Sequence, residues 1–188
     1  MVVMAPGHAD VVQPMVEFAL NHSSPCSLQY PKTTANVLDE GQRPPVELGK
    51  ADIIRQGQDG GLIACGTLLS NCLETADQLA KEGLNLTVID ARFIKPLDTA
   101  TFNRAIQELP FIVTVEEAAL AGGFGSAVLE AASEAGLDTR HVRRLGIPDR
   151  FIEHGDRAEL LSDLGLDTQG ILQVCRQLTT TEKATAYS

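Results

Sequence analysis

Apolar and polar positions divide the chain into three stretches with different periods. Val2, Val3 and Met4 form a short apolar run that reads as a buried strand. After a Pro6-Gly7 turn, Val12, Met15, Val16 and Leu20 recur at helical spacing. Asp10 is placed to cap this helix, and Pro14 lies near its first turn, where a missing N–H costs least. Cys26–Tyr30 follows as a second strand. Residues 1–31 thus read as one strand-helix-strand unit, which needs neighbouring strands to cover its edges and is therefore part of a larger sheet. A strand entered at the second residue reads as a boundary cut into a longer chain.

From Pro31 to Gly49 the chain mixes Pro, Gly, Thr and charged residues with no sustained apolar period, as a connector does. Residues 32–50 are taken as an interdomain linker. Beyond it, Ala51–Arg55 and Leu62–Cys65 read as strands around Gln58-Asp59-Gly60, with the spacing of a hairpin. Leu68–Glu82 is helical in period and closes at Gly83, and Leu86–Asp90 is the next strand. The helix Asp98–Glu108, the strand Phe111–Val115, the helix Gly123–Ala135 and the strand Val142–Leu145 continue the alternation. Helices Arg157–Leu164 and Gly170–Leu178 end it, and the polar tail 179–188 reads as disordered. Strands alternating with helices predict an α/β domain over residues 51–178, with a mostly parallel sheet covered by helices on both faces.

Composition narrows the function. Fifteen Lys and Arg against 25 Asp and Glu give a net charge of −10, which argues against nucleic acid or an anionic membrane as the main partner. Aromatic residues are 4% with no Trp, so the core is aliphatic. Cys26, Cys65, Cys72 and Cys175 show no CxxC pair and no His at ligand spacing. They read as free thiols in a reducing compartment, with no metal site. The N-terminus has neither the basic nor the apolar part of a signal peptide, and no run is long enough for a membrane span. The expected location is cytoplasmic.

Four segments carry candidate chemistry. Glu116-Glu117 precedes Gly122, Gly123, Gly125 and Ser126, a turn into a helix whose N–H groups suit an anion or a domain interface. It lacks the third small residue of a dinucleotide fingerprint, and its glycines equally suit close packing. The two carboxylates, adjacent on a strand, point to opposite faces. Arg92 and Lys95 lie at a strand's C-terminal end, where α/β sheets bind ligands, and Asp98 reads as a helix cap. His154 lies in a polar loop with no nucleophile nearby. Lys32, after Gln29-Tyr30-Pro31, puts a cation at the domain junction, where it can meet a phosphate. These residues supply no complete catalytic set. By themselves they leave open a stand-alone anion-binding α/β module.

In order along the chain, Met1–Pro6, Tyr30-Pro31, Asp90–Asp98, Val115-Glu116-Glu117 with Gly122–Ser126, Gly146–Gly155 and Leu164–Asp167 with Gly170-Ile171 resemble the C-terminal third of the 1-deoxy-D-xylulose-5-phosphate synthases. The strand-helix plan and the VEE…GG element are also similar to those of transketolases and of 2-oxoacid dehydrogenase β subunits, the latter being the alternative. The GIPDRFIEHG and LGLD segments look more like the synthases.

The resemblance implies a transketolase-type C-terminal domain over 51–178, preceded by the end of a pyrimidine-binding domain over 1–31. It implies a parent enzyme, a transferase, that condenses pyruvate and glyceraldehyde 3-phosphate to 1-deoxy-D-xylulose 5-phosphate and CO2, feeding isoprenoid, thiamine and pyridoxal synthesis. The implied cofactors are thiamine diphosphate and Mg2+, held by N-terminal and central domains of the same chain that precede residue 1. No catalytic residue and no cofactor site is then expected here. The chain alone would be inactive, with a structural role in a homodimer. The family's Arg-Tyr-Pro-Arg-Gly run corresponds to Gln29-Tyr30-Pro31-Lys32-Thr33. Lys32 would take the place of the Arg that contacts the phosphate of glyceraldehyde 3-phosphate, keeping the charge but losing the two-pronged guanidinium.

Overall fold

The computed structural model describes residues 1–32, 37–38 and 44–185, with side chains to residue 180. Its N-terminal part comprises β1 (Val2–Met4), a 3-10 turn at Ala9–Val11, α1 (Val12–Asn21) and β2 (Cys26–Leu28). Then come β3 (Asp52–Arg55), β4 (Gly61–Cys65), a 3-10 turn at Gly66–Leu68, α2 (Leu69–Lys81), β5 (Thr87–Asp90) and β6 (Phe93–Lys95). The chain continues through α3 (Thr99–Glu108), β7 (Ile112–Ala119), α4 (Phe124–Glu134), β8 (Val142–Ile147), α5 (Arg157–Asp163) and α6 (Thr168–Thr185).

The main sheet has the order β3-β5-β4-β7-β8 and is parallel except for β3. Alternation along its central strands builds two aliphatic cores. Leu62, Ala64, Val113 and Val115 face α2 and α6, where Leu69, Cys72, Leu79, Ile171 and Cys175 are buried. Ile63, Cys65 and Ile112 face α3 and α4, where Phe102, Ile106, Phe124 and Val128 are buried. With both faces covered, every residue of β4 is buried. The mostly parallel sheet between two helical layers is as expected.

The hairpin is not formed. β3 pairs antiparallel with β5, Asp52 against Asp90, because both edges of β4 are taken by its parallel neighbours β5 and β7. Two short strands around a glycine turn look like a hairpin locally, but the parallel pairings of β4 decide its partners. Asp10 does not cap α1. Its carboxylate accepts from the Leu38 amide at 2.9 Å and lies 3.4 Å from His8 Nδ1, while Val16 and Leu20 are exposed rather than inward-facing. The last helix runs past Leu178 to Thr185, into the tail read as disordered; residues 186–188 lie outside the described residues.

A second sheet, β2-β1-β6, joins the two halves of the chain. β1 and β2 are parallel, as a strand-helix-strand unit requires. Their third strand, Phe93–Lys95, comes from the loop between β5 and α3 and runs antiparallel to β1. Val2, Met4, Val11, Met15 and Phe93 form a third small core, with Phe18 edge-on to Phe93 at 5.6 Å.

Candidate functional site

The strands β1, β2, β4 and β7 all end at one cleft of about 570 Å³ between the two sheets. Open α/β sheets present their ligand sites at such strand ends. Val3, Ala5 and Leu28 line one side with Gln29, Tyr30 and Pro31. Cys65, Thr67, Glu116, Glu117, Gly122 and Gly123 line the other.

The glycine turn comes to this cleft, but the amides of Gly122, Phe124 and Gly125 already bind within the chain. Glu116 is 1% exposed, and its two carboxylate oxygens accept from Phe124 N at 2.7 Å and Gly125 N at 2.8 Å. The positive end of α4 therefore holds the chain's own carboxylate in place of an external anion. Burial pushes this carboxyl above its ordinary range, against the pull of the Gly125 and Phe124 amides and the charge of Arg144. The Gly122 amide donates to Ser126 Oγ at 3.0 Å, and Ser126 Oγ donates to the Leu120 carbonyl at 3.2 Å. Arg144 Nη1 donates to both Ser126 Oγ and the Leu120 carbonyl, each at 2.7 Å. A β-carbon at Gly123 would collide with the Ala119 carbonyl oxygen and with Glu116 Oε2. Close packing, the plainer of the two readings of these glycines, accounts for that position.

Glu116 and Glu117 do point apart. Glu117 faces the rim of the cleft, where Arg157 at the start of α5 holds it through both terminal oxygens and reaches Thr67 Oγ1 at 3.1 Å. This Glu117-Arg157-Thr67 contact was not visible in the sequence. Its members lie 40 and 90 residues apart, and no local motif connects them.

The other candidates are separated. Arg92 is fully buried and bound within the protein, whereas Lys95, one strand residue from Ile94, is exposed. Asp98 caps α3 as expected, its Oδ1 accepting from Thr101 N at 3.1 Å, and its Oδ2 also accepts from Ala51 N at 3.0 Å. His154 is exposed in the loop before α5. Lys32 is exposed and follows Pro31 on the cleft wall, while Thr33 lies outside the described residues. Cys65, Cys72 and Cys175 are buried and all four cysteines are free, with burial pushing the Cys175 thiol up to about 12. They pack as small apolar groups.

Residues 49–171 match the family described as "Transketolase, C-terminal domain". The chain belongs to that family. It is 43% identical over 178 residues to 1-deoxy-D-xylulose-5-phosphate synthase of Rhodopirellula baltica, covering 94% of this chain and 28% of the relative. It is 44% identical over 175 residues to the enzyme of the same name from Symbiobacterium thermophilum, covering 92% and 27% respectively. The chain thus spans little more than a quarter of the length of these relatives. Among solved structures, "Split gene transketolase, inactive beta4 tetramer" superposes with a TM-score of 0.78 at 26% identity, over 96% of this chain and 57% of that one. The transketolase of Campylobacter jejuni has the same fold, with a TM-score of 0.71 at 17% identity, over 94% of this chain and 26% of that one.

Among the described residues no group of three or more His, Cys, Asp or Glu is arranged to hold a metal ion. The helix end at the cleft, which would otherwise suit a diphosphate, is filled by the Glu116 carboxylate. Among the described residues no helix is long and apolar enough to cross a membrane.

Proposed function

We propose that this chain is the C-terminal part of a thiamine-diphosphate-dependent transferase that condenses pyruvate with glyceraldehyde 3-phosphate to 1-deoxy-D-xylulose 5-phosphate and CO2. The observation that carries this reading is the identity of about 40% to synthases of that name, which extends over more than nine-tenths of the chain. In this reading the cofactor and Mg2+ bind to other domains, and the chain supplies the wall that closes the substrate cleft and part of a cytoplasmic homodimer. Alone it is inactive. The tetramer described as inactive, whose chain shares this fold, supports that expectation.

Lys32 is the residue proposed to meet substrate. It follows the cleft-lining Tyr30-Pro31 and carries the only charge in the run Gln29–Lys32, so it would attract the phosphate of glyceraldehyde 3-phosphate as a point charge. This reading is preferred to a stand-alone anion module because the Glu116 carboxylate already takes two amides of the turn assigned to the anion.

The test is the reaction of a full-length protein carrying this chain. With thiamine diphosphate, Mg2+, pyruvate and glyceraldehyde 3-phosphate, it should release CO2 and form 1-deoxy-D-xylulose 5-phosphate. Transfer of the two-carbon unit to a lipoyl group instead would place the chain in a 2-oxoacid dehydrogenase β subunit.

A further inference from the structure

Arg92 is a buried cation, 1% exposed, with φ 55°, the one non-glycine residue with positive φ among those described. A left-handed backbone and a desolvated guanidinium are both unfavourable for Arg, so surrounding contacts must hold it there. They come from four parts of the chain. Nη2 donates to Asp52 Oδ2 of β3 at 2.7 Å, and Nη1 donates to the Pro44 carbonyl of the linker at 3.2 Å. Its amide donates to Asp90 Oδ1 of β5 at 3.1 Å. Its own carbonyl accepts from the Ala5 amide at 2.9 Å, one residue past the end of β1.

The next residue, Phe93, opens β6 and is buried in the core of the N-terminal part. Ala5 packs into the core of the main sheet with Ile63, Ile89 and Phe102. Ala5 and Ile94, on either side of this contact, both line the cleft. Directly after the linker, the Ala51 amide donates to Asp98.

We propose that Arg92 is a positioning residue that sets the cleft by tying β1, β3 and the linker to one point of the β5–α3 loop. It acts through Ala5 and Ile94 and does not touch ligand. The joint belongs to this chain whatever its reaction. Only the effect on turnover rests on the function proposed above.

The test uses Arg92→Lys, which keeps the charge but cannot span Asp52 and Pro44 with a planar fork. Asp52→Asn serves as a milder second variant. Amide exchange on the chain should show protection at Ala5 falling about tenfold in Arg92→Lys and less in Asp52→Asn, while Ile63 and Val113 in the main sheet keep theirs. In the full-length enzyme, assayed at a temperature where each variant stays folded, kcat/KM should fall in the same order. Unaltered protection at Ala5 overturns the proposal. So does an equal loss at Ala5, Ile63 and Val113, which would make Arg92 a contributor to overall stability alone. If Arg92→Lys does not fold, Asp52→Asn decides by the same two comparisons. Should the exchange result hold while no 1-deoxy-D-xylulose 5-phosphate forms, the joint stands and the proposed function falls.

Discussion

Glu116 Oε1 accepts the amide proton of Gly125 at 2.8 Å, so the C-terminal half of β7 supplies the anion for the helix that follows it. The partner oxygen takes Phe124 N at 2.7 Å. Strand, glycine turn and helix close on one another through a single buried side chain.

Glu116→Ala should therefore destabilise the chain by about 1–3 kcal/mol, because it leaves the Phe124 and Gly125 amides buried without an acceptor. Urea unfolding would measure this. A loss no larger than that of an ordinary surface substitution would mean that water replaces the carboxylate.

The same residue gives a pH signature. Burial raises the Glu116 carboxyl in the folded state, so the folded protein holds this proton more tightly than the unfolded chain does. The contribution is full below the unfolded value, about 4.3 for Glu, and is lost as pH rises through the higher folded value. The stability difference between the protein and Glu116→Gln should thus shift in favour of the variant between acid and neutral pH. A shift the other way would show that the two amides and Arg144 outweigh burial.

Arg157→Ala removes the tie between α5 and the cleft rim at Glu117 and Thr67. Both charged groups are partly exposed, so the loss in global stability should stay near or below about 1 kcal/mol. The local effect should be larger: trypsin should cut after Arg150, in the exposed loop before α5, several times faster than in the parent. An unchanged cleavage rate would leave the ion pair without a role in holding that loop.

On the function proposed above, Lys32→Ala in the full-length protein should raise KM for glyceraldehyde 3-phosphate about tenfold, the equivalent of ~1.4 kcal/mol, with KM for pyruvate unchanged. Lys32→Arg should retain or lower it. Steady-state kinetics with each substrate varied in turn separates these outcomes, and an unchanged KM would make Lys32 a solvated charge.

Thiamine diphosphate with Mg2+ should leave the melting temperature of this chain unchanged, since stabilisation by a ligand requires a site in the folded state. A rise of several degrees at modest ligand concentration would place a cofactor site among these residues.

The layered α/β plan was legible because helical and strand periods alternate cleanly from Gly61 to Ile147, and because local signals such as the Asp98 cap act over three residues. What escaped notice depends on distant partners. Phe93–Lys95 has only three residues to show a period and finds its neighbours in Val3 and Met4, some ninety positions earlier. Asp10 has the chemistry of a cap but gives its carboxylate to Leu38, 28 residues on. The turn at Gly122–Ser126 displayed its amides in the sequence, yet strand alternation could not say that Glu116 would fill them. Lys32 was visible as a charge after Tyr30 and Pro31, which line the cleft, but a single exposed charge carries no local signal of what it meets.

The short strand Phe93–Lys95 has a consequence for how the molecule can be divided. It grows from one half of the chain and completes the sheet of the other, so the halves are held by main-chain hydrogen bonds and a shared core as well as by the peptide between them. A backbone cut in the linker should therefore leave residues 1–31 still paired to the larger piece through β6 and the Phe93 core.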